Sequence, residues 1–363
     1  MTEERLPTQT SLDTRADGVT VERCTDPRAW DSFVEQNGGS PFTTWRWGEV
    51  VESYGPERYY FVAKRDGDII GAAPLFYFRS RLFGDKLVAV PFASRGSLVL
   101  DDDHWTVARN RLFALVESLA DTLGVGVASL QSRDLGERAL FKHKQRYVAY
   151  EVPVGDGLDA VWDEMYSCRK SHIEQAEADG VRVTVGTDES DLRTFYKLYL
   201  QTMRGHGSPP HSYRFFQHLW EQFHEDGTMR VYIAECDGRP INSTVDFAFG
   251  SWVFHWKQVS DYDYRDRNGG SLLVWKGLKW AAENGFETFD LGRTREGSGV
   301  YLFKKRFGGE KVWMDDYHYF PDGKTQLLDP EQEKYDRVKQ LWQKIPLPVT
   351  KVIGPPIRKA ITL

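Results

Sequence analysis

Cysteine is scarce in this 363-residue chain: Cys24, Cys168 and Cys236 are far apart and odd in number. They supply neither a disulfide framework nor a paired-cysteine metal site. Long hydrophobic runs are missing as well, and no stretch offers the ~18 uninterrupted apolar residues of a membrane-spanning helix. The segment Met1 to Gly18 is polar and acidic. It lacks the basic start and apolar stretch of a secretory leader, so a cytoplasmic location is expected. There is no Walker loop, no GxSxG elbow and no HExxH pair, and Gly124-Val125-Gly126 precedes a strand, the wrong order for a dinucleotide site. His206, His211, His218 and His224 follow no metal-ligand spacing; they are expected at the surface, and no metal is expected. Positive charge is in deficit overall, with 47 Lys or Arg against 53 Asp or Glu and a net charge of -6. That excludes a protein that coats nucleic acid, and DNA is not an expected partner.

What is present is a globular composition: 40% apolar, 14% aromatic and 28% charged residues, with a mean hydropathy of -0.52. The length exceeds what one hydrophobic core usually supports, so two domains are expected. A divergent internal repeat supplies them. Residues 59 to 78 and 230 to 249 are each two apolar runs joined by Asp-Gly, a strong β-hairpin signal. Aligning Ala63 with Ala234 also superposes Asp66 on Asp237 and Gly67 on Gly238. Two helical patterns precede each hairpin: Trp30 to Gln36 and Trp45 to Tyr54, then Asp191 to Met203 and Tyr213 to His224. A strand, an amphipathic helix (Arg109 to Leu123; Leu272 to Glu283) and a further strand (Val125 to Gln131; Phe286 to Leu291) come after. The expected fold is α/β (α+β), each copy a mixed, mostly antiparallel sheet flanked by helices. The expected divisions are a disordered N-terminus (1–18), a first domain (19–150), a second, catalytic domain (151–320) and a basic amphipathic tail (321–363).

Chemistry concentrates in the second copy. An aromatic strand, Trp252 to Lys257, leads to Arg265, Arg267, Asn268, Gly269, Gly270 and Ser271 at a helix start. Free N–H groups and the helix dipole make such a start an anion site, and the arginines add charge-assisted bonds; an ordinary capped loop is the alternative. From Lys257 to Lys311 there are 11 Lys or Arg against 8 Asp or Glu, a local excess of +3 that suits a polyanionic ligand. Asp246, His255 and Asp290 have base chemistry, but none is assigned that role because strand polar residues commonly serve as hydrogen-bonded or solvent-facing groups.

The strand, glycine turn and helix resemble the acyl-carrier pyrophosphate loop of GNAT acyltransferases, Arg-x-x-Gly-x-Gly/Ala, with compressed spacing. Phe289-Asp290-Leu291-Gly292-Arg293 followed by Tyr301-Leu302-Phe303-Lys304-Lys305-Arg306-Phe307-Gly308 resembles the end of the Fem family of aminoacyltransferases. The similarity extends through Trp275 to Gly285 and, more weakly, through Arg169-Lys170-Ser171, Phe195 to Arg204, and the first-copy aromatics Phe42, Trp45 and Trp47. The FemAB-like proteins found with bacterial exopolysaccharide and protein-sorting systems are the nearest in pattern. No room exists between Tyr150 and Asp191 for the long helical arm of some Fem enzymes.

The resemblance implies two tandem GNAT-like domains that carry an N-acyltransferase. Lys304 would stabilise the oxyanion formed when an amine attacks an acyl group. Arg265, Arg267, Asn268, Gly269, Gly270 and Ser271 would hold the donor, with Trp45, Trp47, Arg204, Trp256, Arg293, Tyr301 and Lys305 on the substrate side. No tightly bound cofactor is implied; acyl-CoA or aminoacyl-tRNA would be the donor. The acceptor would be a small-molecule or lipid-linked sugar or peptide amine of a cell-envelope, peptidoglycan or polysaccharide precursor. An acetyl-CoA-dependent acetyltransferase of small amines and a non-catalytic envelope-ligand binder remain the alternatives. From Val338 to Leu363 five basic residues and no acidic ones mix with apolar side chains. That tail could lie on the inner, anionic face of a membrane or dock on the protein's own first unit.

Overall fold

The computed structural model describes residues 18–81, 83–93, 95–323 and 336–361. The expected disordered terminus, apart from Gly18, lies outside the described residues. In chain order the elements are β1 (Val19–Arg23), α1 (Pro27–Gln36), α2 (Trp45–Ser53), β2 (Glu57–Arg65), β3 (Asp68–Phe78), β4 (Lys86–Ala89), β5 (Val99–Leu100), α3 (Trp105–Leu123) and β6 (Val127–Ser132). The long strand β7 (Phe141–Pro153) leads to α4 (Leu158–Glu164), α5 (Ser167–Ala178), β8 (Arg182–Val185), α6 (Glu189–Gly205) and α7 (Tyr213–Phe223). Then come β9 (Met229–Cys236), β10 (Arg239–Phe249), β11 (Trp252–Ser260), α8 (Gly269–Glu283), β12 (Thr288–Asp290), α9 (Gly299–Lys305), β13 (Glu310–Tyr319), α10 (Asp336–Gln343) and α11 (Leu347–Ala360).

Local chemistry sets these boundaries. Asp26 caps α1 by accepting from the Arg28 and Ala29 amides, and Asp188 starts α6 with a capping box. Both hairpin turns have the expected form: Asp66 (φ 51°) with Gly67 (99°), and Asp237 (52°) with Gly238 (73°). Two consecutive left-handed residues match the twist of the flanking strands.

The chain divides into two compact units. The first comprises, among the described residues, those through Gln145 together with Met314 to Gly323, and its sheet has the order β1-β2-β3-β4-β6-β13. All pairings are antiparallel except β4 with β6. The second comprises Arg146–Trp313 and the C-terminal helices, with the order β8-β9-β10-β11-β12-β7, again antiparallel except β11 with β12. The two orders correspond strand for strand. The end strand of each order comes from the segment that follows the other copy in sequence, and the units divide inside these two strands, at Gln145–Arg146 and Trp313–Met314. Helix α3 buries Leu112, Phe113, Val116 and Ala120 on the first sheet, and α8 buries Leu272, Val274, Leu278 and Ala281 on the second.

Trp30 anchors the first unit. It is fully buried, stacks on Tyr60 at 4.2 Å and donates from Nε1 to the Thr43 carbonyl at 2.8 Å. Trp30→Ala is expected to lower the unfolding free energy by about 3–5 kcal/mol in chemical denaturation; a loss below about 1 kcal/mol would show that the site collapses without a cavity.

Candidate functional site

The second sheet opens where its one parallel ladder ends. Trp252, Val253 and Phe254 pair with Thr288, Phe289 and Asp290, and the pairing stops there while β11 continues to Ser260. A bulge displaces the same strand: Val245 faces Lys257 and Asp246 faces His255, which leaves Trp256 as the extra residue. Trp256 packs among Phe215, Phe216 and Phe247, and the Lys257 ammonium sits 4.9 Å from its ring centre. The aromatic strand therefore supplies a core tryptophan and, beside it, a half-buried lysine.

At the exit of β12, Asp290 Oδ1 accepts from the Gly292 amide at 2.8 Å, and Gly292 takes the left-handed conformation (φ 72°) needed for the turn. Ser298 then caps α9 by accepting from the Tyr301 amide at 3.0 Å. The lysine-bearing segment is thus a short helix. Its backbone turn carries Lys304 back over the exit, and Nζ donates to the carbonyls of Gly292 (2.9 Å) and Arg293 (3.1 Å). An ammonium has three N–H donors, so one remains for a ligand.

The electrostatics are one-sided. Burial lowers the Lys304 pKa to about 8, aided by Arg293 and opposed by Asp290. Burial lowers Lys257 further, to about 7, with the charges of Arg358, Arg293 and Lys304 adding to it. Four cations therefore act on one neighbourhood, and Lys257 has no ion pair among the described residues. Such crowding is relieved by a bound anion. In the first unit the equivalent ladder also has three pairs, Lys86 to Val88 with Val127 to Ser129. Beyond it, Gln131 is taken up by a bridge to Gly96.

The expected anion cradle is packed differently from the sequence reading. A Cβ on Gly269 would come within 2.5 Å of Asn242 Oδ1, and one on Gly270 within 2.6 Å of Gln258 Nε2, so both glycines let the helix start sit against side chains of β10 and β11. Asn268 is left-handed (φ 53°), and Ser271 Oγ, buried, accepts from Arg169. Arg267 lies 3.7 Å from Asp179 and 3.8 Å from Asp266. Arg265 is exposed and stacks on Tyr262 at 4.0 Å. What faces outward is the Arg265 guanidinium rather than the Ser271 hydroxyl.

Arg169 was legible only as part of a weak match, and its place is central. It is 2% exposed, donates to Ser271 Oγ and to the Phe303 carbonyl (3.0 Å), and lies over the rings of Phe303 (4.2 Å) and Phe307 (4.6 Å). It ties α5, α8 and the lysine-bearing α9 together. Asp246 and His255 form a buried pair at 2.8 Å, joined by Thr244 and extended through Gln258 to the Gly270 carbonyl. This chain supports the start of α8; Thr244, Asp246 and His255 are buried and Gln258 is half-buried.

The remaining substrate-side residues do not all converge. Arg293 lies 4.9 Å over Tyr147, Tyr301 packs 5.7 Å from Tyr150, and Lys305 is half-buried beside Lys304. Arg204 is half-buried at the end of α6, where its carbonyl accepts from the Gly207 amide at 2.9 Å. Trp45 and Trp47 belong to the first unit, where Trp47 is fully buried and Trp45 lies under Arg58 at 4.3 Å. His211 departs from its expected surface position: it is fully buried, stacked on Phe215 at 4.5 Å, and hydrogen-bonded to Arg358 of α11 at 3.3 Å. No group of three His, Cys, Asp or Glu among the described residues could hold a metal ion. Sequence reasoning missed Lys257 and Arg358 as site residues; the position of Lys257 beside Trp256 was visible, its burial was not.

Residues 165–305 match the acetyltransferase (GNAT) domain, a stretch from α5 to α9 that includes Lys257, the glycine pair and Lys304. No curated protein matches. Among solved structures, that of FemX is similar with a TM-score of 0.67 at 16% identity, covering 88% of this chain and 99% of that one. The L-PGS structure from Bacillus licheniformis gives 0.54 at 12% identity, covering 91% and 97%. A tandem GNAT protein from the clavulanic acid biosynthesis pathway gives 0.52 at 11%, covering 85% and 100%. At these identities the likeness establishes the fold: mixed α/β with tandem GNAT-like units.

Lys257 makes stability pH-dependent in a definite direction. Its folded pKa of about 7 lies below the ordinary lysine value, so the unfolded chain binds more protons above pH 7. Its contribution therefore rises from about pH 7 toward 10.5 and is least favourable below 7. Lys257→Met is expected to raise the melting temperature at neutral pH and to flatten that rise; an unchanged pH profile in calorimetry would show that the lysine is not desolvated.

Proposed function

We propose that the chain transfers an acyl or aminoacyl group to an amine of a cell-envelope or polysaccharide precursor. The observation that carries this reading is the Lys304 ammonium, fastened by two backbone carbonyls at the open end of the β11–β12 ladder with one donor uncommitted. In the reaction, the acceptor amine attacks the acyl carbon, the carbonyl oxygen becomes an oxyanion, and the C–S or C–O bond to the donor then breaks. Lys304 donates to that oxyanion. A donor fixed before charge develops needs no reorganisation, which is why such groups are effective. Its pKa of about 8 keeps it mainly protonated at neutral pH. No protein nucleophile enters the scheme. The proton released by the amine is not assigned to Asp246 or His255, since both face the covered side of the sheet.

The domain match over residues 165–305 favours an acyl-CoA as donor. Arg265, Arg267 and the Gly269 and Gly270 amides would meet its phosphates, with Ser271 acting indirectly through Arg169. Aminoacyl-tRNA is the second donor, supported by the overall likeness to FemX. On the acceptor side Lys257, Arg293 and Arg358 suit a phosphate- or carboxylate-bearing precursor. Parallel turnover assays with acyl-CoA esters and with charged tRNA distinguish the donors, because only the true one gives saturable transfer.

Lys304→Ala is expected to lower kcat by roughly 10²–10³-fold with a smaller effect on KM. As a cation, Lys304 supports turnover below its pKa and loses this role as pH rises through about 8. Lys304→Arg should preserve measurable turnover and move the alkaline decline upward. An activity that increases through pH 8 in the parent and is insensitive to Lys304→Ala would rule out this role.

A further inference from the structure

The last helix, α11, is built inside out. Surface helices of soluble proteins bury their apolar stripe and show a polar one. On α11 the stripe against the second unit is Thr350, Gly354 and Arg358, spaced four apart. Thr350 is buried, a Cβ on Gly354 would meet Pro210 at 2.3 Å, and Arg358 Nε contacts His211 Nε2 at 3.3 Å. The opposite stripe is apolar and open: Val349 is 44% exposed, Val352 71% and Ile353 39%. Helix α10 adds to that outward apolar face. It buries Trp342, donates from Gln343 to the Gly205 carbonyl (2.8 Å), and leaves Val338 58% and Leu341 65% exposed. Of the eleven large hydrophobic side chains that are exposed among the described residues, five lie on these two short helices. The tail thus docks on the second unit through Trp342 and Gln343 of α10 and Thr350, Gly354 and Arg358 of α11, where docking on the first unit was the sequence-based alternative.

We infer that the α10–α11 face is a membrane-docking surface for an anionic lipid leaflet. The charge on the tail selects a lipid surface over a protein partner. From Arg337 to Ile361 there is no acidic residue, in a chain whose net charge is -6, and Lys344 and Lys351 are exposed within the apolar patch. Lysines beside valine, leucine and isoleucine place their ammonium groups at the phosphate level while the apolar side chains enter the acyl boundary. No described helix is long and apolar enough to cross a membrane, so the contact is peripheral, made by side chains alone. The inference stands apart from the reaction assigned to Lys304: it rests only on the outward face of the tail.

The test uses the full chain in co-sedimentation with phosphatidylcholine vesicles with and without phosphatidylglycerol. Binding is expected to the anionic vesicles, weakened by added salt. Two variants separate the components: Leu341→Ser/Val349→Ser/Val352→Ser/Ile353→Ser, and Lys344→Gln/Lys351→Gln. Each should reduce vesicle binding by about tenfold or more with an unchanged melting temperature, because every altered side chain points outward. Absence of binding by the parent chain, or binding that survives the serine substitutions, would overturn the inference. Self-association that vanishes in the serine variant, without vesicle binding, would assign the face to a second copy instead. Should the serine variant fail to fold, the glutamine pair decides: undiminished binding at low salt rejects the anionic-lipid assignment.

Discussion

The candidate site depends on a parallel ladder that is only three residue pairs long. Parallel strands need a crossover, here α8, and the crossover fixes where β12 enters beside β11. Because the pairing ends at Phe254 and Asp290, two strand exits diverge within one sheet, and the backbone groups beyond them are available to other partners. Gly292 and Arg293 use their carbonyls to hold Lys304. The bulge at Trp256 turns Lys257 toward the same opening. Had the ladder continued, these lysines would face a closed sheet. In the first unit the equivalent ladder is as short, but a separate bridge between Gly96 and Gln131 follows it.

A second constraint acts through Arg169. A cation buried to 2% exposure, without a carboxylate among its hydrogen-bond partners, is tolerated because a hydroxyl, a carbonyl and two aromatic faces share its charge. Those partners lie on α8 and α9, so the same guanidinium that satisfies the helix start also sets the position of the helix carrying Lys304. The glycine pair serves this packing too, by letting α8 begin against Asn242 and Gln258. Scaffold packing therefore draws on the same few residues to which the proposed function gives a donor-binding role.

Much of the fold was legible because its signals are local. Asp-Gly at 66–67 and 237–238 requires left-handed backbone, and amphipathic periodicity marks α3 and α8 in both copies. Strands β7 and β13 were not legible: each pairs across long sequence separation, and nothing in Phe141–Pro153 or Glu310–Tyr319 names its partner. Lys304 was visible through its flanking Tyr-x-Phe-Lys pattern, yet its helical setting was hidden because seven residues are too few for a periodicity to register. Lys257 and Arg358 were hidden for another reason. Their significance is a desolvation and a charge crowding, and both are properties of three-dimensional neighbours. The amphipathic, basic character of the tail is visible in its sequence, but which stripe of α11 faces the protein is settled by Gly354 against Pro210, a contact between residues far apart in sequence.

The strand exchange between the copies bears on how the chain is made. During synthesis the first copy emerges with five of its six strands, and the edge of β6 must wait for Met314 onward before it is capped. A long interval of elongation separates the two events, roughly ten seconds or more at common translation rates. Throughout that time an exposed, unpaired edge of Val127–Ser132 is a template for any passing strand. The first unit is thus the earliest part of the protein to be translated and among the last to be finished, and a ribosome stalled shortly after β12 would release a chain with an open sheet.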